Sequence, residues 1–117
     1  MTLKKLLVTL SVASIGLCST YQSVANDKDI SPKREKQLVH LLKQDCGSCH
    51  GMTLKGGLGP ALLPENLKGK PELFLTNTIL FGRPGTAMPP WKEIITEKEA
   101  KWLTKQLTQG VVSETKQ

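Results

Sequence analysis

Three stretches of the chain carry apolar residues at helical spacing, and Gly/Pro-rich stretches separate them. In the first, Leu38, Leu41, Leu42 and Asp45 recur three and four apart while Lys33, Arg34, Lys36 and Lys43 fall mostly elsewhere, which predicts an amphipathic helix over 32–45. Ser31 is placed to cap it and Pro32 to occupy its first turn. In the second, Pro71 can open a helix that runs to Phe81, with Leu73, Phe74, Asn77, Leu80 and Phe81 as its stripe and Gly82 as its stop. In the third, Thr96 and Glu99 have capping-box spacing and Ile95 can staple onto Ala100. Ala100, Leu103 and Leu107 then form the stripe that ends at Gly110. No run alternates with strand period long enough to build a sheet, and no repeat is present. The expectation is an all-α fold of about three main helices.

Between the first two helices, residues 51–70 hold glycines and prolines without a sustained period, and Arg83 to Trp91 is a second loop of the same kind. The longer loop reads as one that wraps something other than its own side chains. Three short helices make a thin core, so a large apolar ligand at the centre would supply the missing packing.

The chain opens differently. Lys4 and Lys5 precede an apolar run from Leu6 to Leu17, and Ser23-Val24-Ala25 offers small residues at the cleavage-determining positions, the pattern of a secretory signal peptide cut after Ala25. The run falls short of the roughly 20 residues a spanning helix needs, so no stable membrane insertion is expected after cleavage. Two alternatives are lipidation at Cys18, where Leu17 stands in place of the small residue a lipobox wants, and an uncleaved, tethering tail. The resulting organisation is a signal peptide over 1–25, a flexible lead-in over 26–30, one domain over 31–110 and a loose polar tail over 111–117, in a periplasmic protein. Cleavage removes two lysines and no acid, which takes the net charge from +6 to +4. That balance favours an acidic partner patch or an anionic surface, and no basic cluster is dense enough for nucleic acid.

Cys46-Gly47-Ser48-Cys49-His50 matches C-x-x-C-H. Two residues between the thiols let them reach neighbouring vinyl groups of one porphyrin, and the adjacent histidine is held beneath the ring to coordinate iron. One covalent haem c, attached through Cys46 and Cys49 with His50 as an axial ligand, is the expectation. A thioredoxin-like redox pair needs a preceding strand, and here a capped helix precedes the motif. A zinc site needs two further ligands, for which only His40 is on offer, and a structural disulfide would close a loop too short to gain much entropy.

The second axial ligand must come from a distant residue on the opposite face of the ring. Met88 fits, and Pro89-Pro90 stiffens the loop that would deliver its soft thioether sulfur. Met52 is tethered to the wrong side, and His40 sits on the helix feeding the proximal side. A proximal histidine normally donates its other ring nitrogen to a carbonyl, and Pro60, in the glycine-rich loop, is the candidate acceptor. Buried haem propionates would need donors, for which Trp91 is the first candidate, with Arg83 and Trp102 as others. With both axial positions filled the chain reads as an electron-transfer protein rather than an enzyme. Lys55, Lys68 and Lys92 could steer an acidic redox partner. The enzymatic alternative has Met88 dissociating so that iron handles peroxide or nitric oxide.

Taken together, the haem motif, the methionine loop and the flanking helices resemble class I cytochromes c over nearly the whole mature chain. Residues 44–51, Gly56-Gly57-Leu58-Gly59-Pro60-Ala61-Leu62 and Gly82-Arg83-Pro84-Gly85-Thr86-Ala87-Met88-Pro89-Pro90-Trp91 are similar to the small periplasmic cytochromes of the c55X type. That family accompanies the cytochrome cd nitrite reductase of denitrifying bacteria. The resemblance implies His50/Met88 ligation, a Pro60 carbonyl on His50 and crossing first and last helices. It also implies electron supply to nitrite reductase or help in maturing that enzyme's special haem, between which the sequence does not choose. The chain is expected to be a monomer. The tail Val111 to Gln117 shows no family feature.

Overall fold

The computed structural model describes residues 30–110, so the expected signal peptide, most of the lead-in and the tail lie outside the described residues. Those described form helices and connecting segments without a strand: α1 Pro32–Leu41, a π-helical turn Leu42–Cys46, α2 Gly47–His50, α3 Pro64–Leu67, α4 Glu72–Phe81 and α5 Glu97–Gln109. None of these helices is long and apolar enough to cross a membrane.

Local chemistry sets the helix ends. Ser31 accepts from the Arg34 amide with Pro32 in the first turn of α1, and Thr96 with Glu99 forms a complete capping box at the start of α5. Gly110 closes α5 in the left-handed conformation. Leu38 and Leu42 from the first helical segment meet Ala100, Leu103 and Leu107 from α5, with Leu80 and Ile95 completing this side of the core. A buried hydroxyl pair, Thr76 on α4 and Thr104 on α5, stands 3.2 Å apart, each the hydrogen-bond partner of the other.

Three expectations need correction. The first helix does not stop at residue 45 but continues to His50 through the π turn, in which the Gly47 amide reaches back to the Leu42 carbonyl. The wider turn shifts the register, so Asp45 leaves the predicted buried stripe and is exposed. The loop over 51–70 contains α3 and contributes Leu54 and Leu67 to the core, so it does pack on its own side chains. Four residues are too few for a period to show. On α4, Leu80 of the predicted stripe is buried, but the stripe's other members are not: Leu73, Phe74 and Phe81 are 63%, 52% and 55% exposed, Asn77 is exposed, and Thr76, outside the stripe, is buried.

Arg34 and Glu99 tie α1 to α5. The guanidinium Nε donates to one Glu99 oxygen, while the other accepts from the Thr96 amide at 2.8 Å. One carboxylate thus both caps α5 and docks the helix that carries the cysteines. The Arg34 hydrogen bond, opposed by burial, holds the Glu99 carboxyl below its ordinary value of 4.5. A lowered folded value means that the stability it contributes is complete above the unfolded value and is lost as pH falls through the folded one. Thermal unfolding of the holoprotein, followed from about pH 6 to about pH 3, should show a shallower acid-side fall in Glu99→Gln than in wild type. Identical slopes would remove this pair from the account of acid stability.

Candidate haem site

Cys46 closes the π turn, and Cys49 and His50 end α2, so one continuous helical segment presents all three side chains. Both cysteines are unpaired and half-buried. Burial, with the adjacent Asp45 carboxylate adding to it, pushes the Cys46 thiol up to about 11. It is therefore a protonated thiol at neutral pH, the opposite of the lowered thiolate on which a Cys-x-x-Cys redox pair depends. Ser48 Oγ donates to the Asp45 carbonyl at 2.6 Å and stands 3.8 Å from Cys49 Sγ.

His50 is 8% exposed, and its Nδ1 lies 2.7 Å from the Pro60 carbonyl oxygen. A carbonyl only accepts, so Nδ1 carries the proton and the lone pair of the neutral ring is on Nε2. The loop that brings Pro60 there is fastened to the end of the same helix. Gly56 donates its amide to His50 O and Gly59 donates to Cys49 O, each at 2.8 Å. These bonds satisfy carbonyls that a helix end would leave unpaired. Gly59 is there because nothing larger fits: a Cβ on it would lie 2.7 Å from the imidazole.

Met88 belongs to a strap between α4 and α5. Gly82, with φ +65°, ends α4, and a Cβ there would come within 2.5 Å of the Met88 oxygen and 2.6 Å of the Pro89 carbonyl carbon. The Arg83 amide donates to Met88 O at 3.1 Å, and the Trp91 amide donates to the Leu80 carbonyl at 3.0 Å. Met88 is half-buried. Met52 instead sits against Gly47, with its sulfur 3.4 Å from where a glycine-replacing Cβ would stand, on the helix that carries the cysteines. His40 is exposed on α1. Arg83 is exposed and Trp91 is half-buried against the core, and neither side chain has a hydrogen-bond partner among the described residues. Trp102, considered as a propionate donor, packs against the core from α5. Sequence reasoning missed Gly59 and Gly82 as close-packing positions, although each stands beside the proline or arginine it serves. No group of three or more His, Cys, Asp or Glu that could hold a metal ion occurs among the described residues.

The arrangement fits a haem. Two free thiols and an imidazole with its Nε2 lone pair available stand on one helical segment, and the other described residues leave the Leu73/Phe74/Phe81 face of α4 uncovered. Such a face needs an apolar partner. Replacing Gly59 by alanine should push the imidazole off Pro60 and lower the holoprotein's unfolding free energy by about 1–3 kcal/mol, the usual cost of overpacking. Denaturant unfolding checks this, and an unchanged midpoint would mean that the ring has room to move.

Residues 33–105, more than half of the chain, match the family described as cytochrome c oxidase, cbb3-type, subunit III. A cytochrome c55X of Pseudomonas aeruginosa is 53% identical over 87 residues, covering 74% of this chain and 73% of that protein. A cytochrome c55X of Stutzerimonas stutzeri is 51% identical, covering 67% of this chain and 69% of its own length. Among solved structures, the c-type cytochrome NirC superposes with a TM-score of 0.70 at 53% identity, over 71% of this chain and 98% of that one. Dihydro-heme d1 dehydrogenase NirN, in complex with DHE, shares the fold more narrowly, with a TM-score of 0.56 at 37% identity over 60% of this chain and 15% of that one. The helical fold around Cys46, Cys49 and His50, together with these relatives, shows that the chain belongs to the class I c-type cytochromes of the c55X type.

Proposed function

We propose that the mature protein is an exported, periplasmic electron carrier with a single haem c, attached by thioethers at Cys46 and Cys49 and held axially by His50 and Met88. The observation that carries this reading is the 2.7 Å contact between His50 Nδ1 and the Pro60 carbonyl, which leaves the Nε2 lone pair available to a metal. When bound, the haem iron supplies one-electron exchange between its ferrous and ferric states. The chain's own residues do the rest. Pro60 orients the imidazole and raises its basicity, and the strap over 82–91 delivers a thioether that favours the ferrous state. Trp91 and Arg83, both with unpartnered donors, are the candidates to compensate the propionates.

The acceptor we favour is a redox protein of the nitrite reductase system, approached through an acidic patch that meets exposed Lys55, Lys68 and Lys92. A second reading, a role in maturing the special haem of that reductase, has its own support. A dihydro-heme d1 dehydrogenase of Pseudomonas aeruginosa is 46% identical to this chain over 48 residues, so the same kind of domain accompanies haem d1 chemistry elsewhere. Deleting the gene separates the two. An electron donor leaves nitrite reductase with full special-haem content but slow reduction, and a maturation factor leaves it depleted.

Ligation has a direct check. The oxidised holoprotein should show the methionine–iron charge-transfer band at about 695 nm, and Met88→Ala should lose it while keeping covalent haem. A band that persists in Met88→Ala would transfer the sixth position to another residue, with Met52→Ala as the next variant to read.

A further inference from the structure

We infer that Thr86 is the positioning residue for Met88, its hydroxyl fixing the strap so that the thioether is held at one place. This rests on the reading above that Met88 is an axial ligand. Thr86 Oγ1 donates its hydrogen to the Arg83 carbonyl at 2.7 Å and accepts the Met88 amide at 3.3 Å. The Thr86 amide donates to the same Arg83 carbonyl at 3.0 Å, and the Arg83 amide donates to Met88 O at 3.1 Å. Both backbone polar groups of Met88 therefore return to the turn that precedes it, one of them through a side chain.

Packing does not do this job. Gly85, at the tip of the turn, has φ +79° and nothing within 4 Å of where a Cβ would be, and Thr86 and Ala87 are exposed. On the far side, Pro89-Pro90 restrict the backbone and Gly82 receives the Met88 and Pro89 main chain closely. Between Gly82 and Met88, Pro84 restricts the backbone and the remaining ties are hydrogen bonds, of which the Thr86 hydroxyl makes two. A serine would make the same pair, while valine keeps the shape and makes neither.

Imidazole competes with an axial methionine for ferric iron, so its apparent affinity reads how firmly the strap holds its sulfur. In oxidised holoprotein, Thr86→Val and Thr86→Ala should bind imidazole about tenfold more tightly than wild type, the factor expected for losing hydrogen bonds of ordinary strength. Thr86→Ser should stay within about twofold of wild type. Thr108→Val is the control. It removes a comparable hydroxyl bond to the Thr104 carbonyl on α5 and should leave imidazole binding unchanged. The two hydroxyl-free variants are read in parallel, so failure of one to assemble leaves the other informative. Wild-type affinity in either of them, or tightened binding in Thr86→Ser, would overturn the inference. Absence of the 695 nm band from wild type would instead overturn methionine ligation itself, which keeps the two failures apart.

Discussion

The hydrogen bond from His50 Nδ1 to the Pro60 carbonyl is the constraint on which the site depends. It assigns the tautomer, sets the plane of the ring and leaves one nitrogen free for iron. The bond is possible only because the glycine-rich loop returns to the helix it leaves. Gly56 and Gly59 spend their amides on the His50 and Cys49 carbonyls, and Gly59 has no side chain to strike the ring. A loop of ordinary composition could not come so close. The glycines that look like flexible punctuation in the sequence are, in the folded protein, points of tight contact.

What could be read in advance follows the range of each interaction. Helix ends depend on neighbours three or four residues away, so Ser31, Thr96, Glu99 and Gly110 are legible in one dimension, and they cap α1 and α5 as their spacing implies. The α5 stripe of Ala100, Leu103 and Leu107 is likewise local, because polar residues cover its other faces. On α4 the same logic succeeds only at Leu80. Its apolar residues lie nearly all round, so periodicity chose Leu73, Phe74 and Phe81 as core-facing beside Leu80, when the protein leaves those three exposed and buries Thr76 with Leu80. Thr76 looks like a surface residue until Thr104, 28 positions later, is found opposite it. The π turn before Cys46 and the link from Arg34 to Glu99 are hidden for similar reasons, since one breaks the period and the other spans 65 residues. At the site, Cys46, Cys49 and His50 are legible as a motif, while the contributions of Gly59 and Thr86 depend on where the backbone turns.

The fold accounts for how a small protein supports a large cofactor. Its core on the α1/α5 side is made of leucines with a few smaller residues, anchored by a capping box shared with an interhelical ion pair. The other face of α4 stays apolar and uncovered by protein. Protein and cofactor would then complete one another, with the end of α2 offering His50 and the strap over 82–91 offering Met88.

A haem closed on both sides by His50 and Met88 has its clearest signature in proton NMR of the reduced holoprotein. Wild type should show a three-proton methionine methyl resonance driven far upfield by the porphyrin ring current, and Met88→Ala should lack it. A reduced spectrum without such a resonance, or one in which it survives loss of Met88, would contradict this ligation.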